Sequence, residues 1–144
     1  EATPMINFGS WYGFAAVAEA LVGVFAARGP GKDGEHRARA KRAVTLLFQF
    51  SKLYPVAVPL ASLFSGQYAM LCGRSDRALK RLQIGIHAAV AADMKYDLAR
   101  LYAALGTMPS LELHVRAEHR RQSGIWMERC GLAVLPPLPL TLTS

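Results

Sequence analysis

The sequence predicts an all-α fold: a right-handed α-solenoid of three helical hairpins over residues 1–134, followed by an extended proline-rich tail over 135–144. Three observations carry this expectation. Apolar residues recur at three- and four-residue steps along most of the chain, the period of a helix with one buried side. Glycine and proline cluster in a few places, whereas a β-sandwich needs turn signals every eight to twelve residues or so. Small and large apolar residues also recur in register from one pair of segments to the next, as in stacked repeats.

The elements follow in order. The first apolar segment, Ile6 to Arg28, ends at Gly29-Pro30-Gly31, through which no helix continues. The second runs from Gly34 to Leu53. Pro55 opens the third, where a first-turn proline loses no helical hydrogen bond, and Gly73 closes it after Cys72. Ser75 is the expected N-cap of a fourth segment, Asp76 to Ala92, with Ala78, Leu79, Leu82, Ile86 and Val90 on its apolar stripe and Arg77, Lys80 and Arg81 opposite. A fifth segment, Tyr96 to Leu105, stops at Gly106, and Ser110 is the expected cap of a sixth carrying Leu111, Val115, Ile125, Trp126 and Met127. The hairpins are thus 6–54, 55–92 and 94–131. The charge-free, proline-rich end reads as extended chain.

The repeat rests on Gly66, Gly73, Ala78, Leu82 and Gly85, spaced 7, 5, 4 and 3 apart. That is the tetratricopeptide order of small residue, turn glycine, alanine, large apolar and small residue. Small residues let the two helices of a hairpin approach, and Leu82 fills the groove between them. Adding 33 gives Ala99, Gly106, Leu111, Val115 and Glu118, and also sends Met94 to Met127. Subtracting 35 sends Ala78 to Ala43 and Leu82 to Leu47, with Gly29 to Gly34 widening the first turn. About three repeats are needed for a stable stack.

The runs Phe50-Ser51-Lys52-Leu53-Tyr54-Pro55-Val56-Ala57-Val58-Pro59, Gly73-Arg74-Ser75-Asp76-Arg77-Ala78-Leu79 and Ala91-Ala92-Asp93-Met94-Lys95-Tyr96-Asp97, together with Gly66 and Leu105-Gly106, carry a resemblance. Residues 40–131 resemble the C-terminal helical-repeat region of multidomain signalling proteins similar to soluble adenylyl cyclases. In these, class III nucleotide cyclase domains and an AAA-type ATPase module precede a tetratricopeptide-like tail. The resemblance implies a structural or regulatory tail. The cyclase metal-binding aspartates and the ATPase phosphate loop belong to other domains, so no catalytic residue carries over.

The residues themselves offer no catalytic constellation. No phosphate-loop or dinucleotide glycine motif occurs, and Gly29 to Gly34 follow a helix instead of a strand. His114 and His119 are five apart, on diverging sides of a helix, and do not make a zinc pair. His87 reads as a core histidine at the stripe's edge, Cys72 and Cys130 as buried thiols, and Glu19 as a residue that pairs with an arginine or faces a groove, not a base. No catalytic residue, cofactor or metal is expected.

Two cysteines in apolar patterns argue against a disulfide framework and for an intracellular, cytoplasmic setting. The chain opens at Glu1 without Met and reads as a processed product or an excerpt. The net charge of +7 is concentrated in His36 to Arg42, Arg74 to Arg81 and Arg116 to Arg121. Aromatic residues do not alternate with these groups, which disfavours single-stranded nucleic acid. These groups read first as solvated outer faces of helices, with Arg37, Arg39, Lys41 and Arg42 as the candidate contact for an acidic protein partner.

The expected role is a non-catalytic scaffold or protein-binding segment whose concave side, formed by the first helix of each hairpin, receives a peptide or a neighbouring domain or subunit. Its candidate lining is Trp11, Tyr12, Gln67, Tyr68, Arg100 and Tyr102; each of the aromatic rings equally suits packing between repeats, the expected place for at least half of them. Small molecules are not expected as partners. The alternative is an accessory subunit of a large complex anchored in a membrane by Ile6 to Ala27, which is apolar but for Glu19 and a few polar residues.

Overall fold

A computed structural model describes residues 10–29 and 34–132. The described residues form six α-helices and no strand. Residues 6–9, the turn residues 30–33 and the expected tail lie outside the described residues.

Helix α1 (Ser10–Arg28) buries Trp11, Ala15, Ala18, Val22 and Phe25, a stripe at alternating steps of four and three. It packs on α2 (Gly34–Leu53), which buries Ala40, Ala43, Val44, Leu47 and Phe50. The chain then turns at Tyr54, held extended at φ −127° ahead of Pro55, the conformation a residue before proline adopts. One 3-10 turn, Pro55–Ala57, leads into α3 (Val58–Leu71). Pro59 occupies the first turn of α3, where its missing N–H costs no helical bond.

Ten of the 14 residues of α3 are buried, because this helix packs against four others: α1, α2, α4 (Ser75–Ala91) and α5 (Lys95–Gly106). Helix α6 (Leu113–Arg129) packs on α5. Each successive pair, α1 with α2, α3 with α4 and α5 with α6, is therefore a packed hairpin. The first helices of the hairpins also touch one another, α1 against α3 and α3 against α5.

Three helix ends share one hydrogen-bond pattern. After α3, Gly73 N–H donates to Met70 O at 2.9 Å and Arg74 N–H to Ala69 O at 2.9 Å. The pattern recurs at Asp93-Met94 and Gly131-Leu132, and it requires positive φ at its pivot residue. Gly73 and Gly131 supply φ +70° freely, whereas Asp93 adopts +51° with a side chain.

Several sequence expectations need correction. Ser75 does not cap α4 but begins it; the N-cap is Arg74, with no side-chain cap bond. Helix α6 starts at Leu113 after Glu112, not at Ser110, because the connecting segment turns at Met108, which is 1 % exposed and whose carbonyl accepts from Leu111 N–H at 3.2 Å. On α4 the buried row is Ala78, Leu82, Gly85 and Ala89, whereas Val90 is exposed. At 100° per residue Val90 lies roughly 120° from Ala78 around the helix. His87 is likewise exposed, not in the core.

The repeat offset is not 33. Helices α4 and α6 have 17 residues each, and Ser75 corresponds to Leu113 as Ala91 does to Arg129, an offset of 38. A Cβ on Gly66 would sit 2.8 Å from Leu82 Cγ and near Ala78 O, while one on Gly106 would sit 2.7 Å from Arg120 Cγ and near Arg116 O. Gly106 thus occupies the close-crossing position of Gly66 and not the turn position of Gly73. The longer α5–α6 connection absorbs the difference.

Candidate protein-binding groove

The first helices build a groove. Its lining includes Tyr12, Ala15, Ala16 and Glu19 of α1, Leu60 of α3, and Met94 to Asp97 with Arg100 at the start of α5. The open volume is about 550 Å³. Helical spacing positions these side chains: Tyr12, Ala16 and Glu19 lie within two turns on one side of α1, and Tyr96 and Arg100 are one turn apart on α5.

Arg100 ties the floor together. Its Nη2 donates to Glu19 Oε1 at 2.6 Å, across 81 residues of sequence. The guanidinium also lies 5.4 Å from the ring centre of Phe64 on α3 and 5.8 Å from that of Tyr96. One side chain therefore touches all three first helices. The Arg100 side chain is 8 % exposed and that of Glu19 41 %, so the cation is buried while its partner reaches solvent. Burial pushes the Asp97 carboxyl up to about 6, and the positive charge of Arg100 opposes that rise only in part.

The expected lining residues divide into two groups. Arg100 lies in the groove floor and Tyr12 stands at its edge, 61 % exposed, its ring against Trp11 at 3.8 Å between centres. Trp11 and Gln67 are not lining residues: they are 1 % and 0 % exposed, and belong to the core. The apolar stripe of α1 carries Trp11 inward, and Gln67 follows Gly66 on the crowded side of α3. Both amide atoms of Gln67 are buried without a hydrogen bond among the described residues. Tyr68 is not in this groove: it turns toward α2 and α4, and the ring of Phe25 lies 5.8 Å from its own. Tyr102 stacks with His119 of α6, 5.9 Å between centres.

Groove residues that the sequence did not single out are Tyr96, Asp97 and Leu60. A polar residue between Tyr96 and Leu98 at a helix start reads as a capping feature, and only the tertiary fold turns it toward α1. Glu19 does pair with an arginine, as expected of a lone acid in an apolar helix.

The basic cluster of α2 is exposed and lies elsewhere. Arg39 is paired with Glu35 along its own helix, while Arg37 and Lys41 turn toward α3 and α4. Arg42 is exposed. His114 is near Glu112, with Nδ1 to Oε2 at 3.2 Å, whereas Glu118 is held by Arg121 at 2.7 Å, which fixes their separate directions on α6. Cys72 and Cys130 are free thiols, both half-buried.

Compared with known proteins, the chain matches no family model, no curated protein and no solved structure.

Proposed function

We propose that this chain is a non-catalytic, tetratricopeptide-like solenoid segment that binds an extended stretch of a partner protein, or of a neighbouring domain, in the groove across α1, α3 and α5. The observation that carries this reading is the order of packing. The first helices lie against one another, α1 on α3 and α3 on α5, so that their outer sides make one continuous surface. Such a surface is what helical repeats use for recognition. Tyr12 and Tyr96 offer amphipathic rings at its edge, and a charged pair lies on its floor.

A second feature favours assembly with neighbouring repeats. Phe14, Val17 and Val24 on the outer side of α1 are 38 %, 54 % and 40 % exposed, and half-buried Leu21 continues their row. A stacked helix would cover such a row, whereas a capping helix is polar on its outside. The same helix is long and apolar enough to cross a membrane, but its stripe from Trp11 to Phe25 is already in the core. The segment's place in a larger cyclase- or ATPase-like signalling protein, with the catalysis in other domains, follows from the sequence resemblance alone.

Two measurements test this reading. Peptides selected from a displayed random library should lose binding to the Tyr12→Ala and Tyr96→Ala variants; peptides indifferent to both would remove the groove from consideration. Immunodetection with an antibody against residues 31–39 in native extract should find a species many times heavier than 15.7 kDa under denaturing conditions. A species of about that mass would sink the cyclase-tail assignment without touching the groove.

A further inference from the structure

Across α3 from the groove lies a second recess, between α2 and α4, and the two share no lining residue. Lys41 comes from α2, Arg74 from the N-cap of α4, and Arg77 and Arg81 from its first turns. A four-residue step places Arg77 and Arg81 on one side of α4. Hydroxyls of Thr45, Ser65 and Tyr68 complete the polar wall. Among the described residues no carboxylate lines this recess. Among the described residues the ion pairs engage Arg39, Lys95, Arg100, His114 and Arg121, and none of the four cations of the recess.

Four positive charges around one concavity repel each other, and no carboxylate among the described lining residues offsets that repulsion. A ligand that does so must be anionic, and its shape is limited. The volume is about 240 Å³, below the roughly 300–1,000 Å³ of ordinary small-molecule pockets. Phe48 at the recess is covered by Arg81, 4.3 Å from its ring centre, so its face is not free to stack on a base. A concave site of this size suits a side chain that protrudes, not a flat membrane. A single carboxylate would neutralise one charge of four. A phosphorylated side chain brings about −1.5 to −2 at pH 7 and three acceptor oxygens, which guanidinium forks match.

We propose that the recess between α2, α3 and α4 is a docking site for a phosphorylated serine or threonine side chain on an extended segment of a partner protein. Arg77 and Arg74 supply forks at the mouth, Lys41 closes the α2 side as a point charge, and Arg81 is held in place over Phe48. The proposal is independent of the groove across α1, α3 and α5.

The test is fluorescence anisotropy with the whole chain and labelled peptides randomised on both sides of a central phosphothreonine, threonine or glutamate. The phosphothreonine set should bind at least about tenfold more tightly than the other two, with affinity falling steeply as salt rises. Arg77→Gln and Lys41→Gln, both at exposed positions, should each weaken binding about tenfold, whereas Arg121→Gln on α6, with the same change in charge, should not. Equal binding of the threonine and phosphothreonine sets, or no binding of either, would overturn the proposal. So would tighter binding of a single-stranded oligonucleotide or of phosphatidylserine vesicles, or an undiminished affinity of Arg77→Gln when circular dichroism shows it folded.

Discussion

Asp97 provides a quantitative test of the groove floor. It is 7 % exposed in the first turn of α5, and burial raises its carboxyl from 3.8 to about 6, with Arg100 pulling the other way. The folded state therefore binds a proton more tightly than the unfolded state does. Between pH 4 and 6 the folded chain holds more protons, so stability falls as pH rises through that window. The cost is absent below the unfolded value, near pH 3.8, and complete above the folded value, near pH 6. Raising the carboxyl from 3.8 to about 6 corresponds to roughly 3 kcal/mol at most, at about 1.4 kcal/mol for each tenfold change in proton affinity.

Asp97→Asn keeps the shape and removes the charge. At pH 7.5 the variant should be more stable than the parent by about 2–3 kcal/mol, or about 5–10 °C in Tm for a chain of this size. At pH 4 the two should coincide. Urea unfolding of both at pH 4, 5, 6 and 7.5 gives the difference curve, in which the titration of every other group cancels. A flat difference curve would refute the reasoning, because it would mean that Asp97 ionises as it does in the unfolded chain and that the groove floor is wet at that point.

Two further outcomes follow from the packing. Gly85→Ala places a Cβ 2.8 Å from Ser62 Cβ and 2.7 Å from Leu101 Cδ2, an overlap with an atom fixed to the α3 backbone, so the variant should lose about 1–2 kcal/mol after helix propensity is credited; Gly124→Ala, with nothing within 4 Å, should gain about 0.5–1 kcal/mol. Thermal unfolding by circular dichroism checks the pair, and the same sign for both would refute the close α3–α4 crossing. Removing Glu19 leaves the buried Arg100 cation without its hydrogen-bonded partner, so Glu19→Ala should cost about 1–3 kcal/mol; Arg100→Met also withdraws the positive charge that opposes the burial of Asp97 and should cost at least as much. An Arg100→Met variant as stable as the parent in urea unfolding at pH 7.5 would remove Arg100 from the role of tying the groove floor together.

Much of the fold was legible because strong local signals decided it. Gly34 and Leu53 bound α2 as read from the apolar pattern, and Gly73 ends α3 where positive φ is needed. What failed depended on tertiary distance. Gly106 looks like a turn glycine beside Leu105, yet its missing side chain makes room for Arg120, and that confusion produced the wrong repeat offset. Trp11 and Gln67 are polar-edged residues on first helices, and nothing local distinguishes the side that meets solvent from the side that meets the next helix. The recess between α2 and α4 was illegible for a similar reason: Lys41 and Arg77 belong to charge runs that look solvated when taken singly.

The two concave sites on either side of α3 differ in electrostatics, and that difference follows from where acids fall in the sequence. In the groove, Arg100 and Lys95 are accompanied by Glu19 and Asp97, so formal charges balance and Arg100 is already paired. In the recess, Lys41, Arg74, Arg77 and Arg81 line one concavity with no acid among the described lining residues. A strongly anionic segment gains at the recess, whereas at the groove it would meet Glu19 and Asp97 at close range and would have to compete with Glu19 for Arg100. Charge thus discriminates between the two surfaces of one small fold, by repulsion as much as by attraction. An apolar or aromatic segment has the opposite preference: Tyr12, Leu60 and Tyr96 offer it contact area in the groove, while Phe48 in the recess is already covered by Arg81.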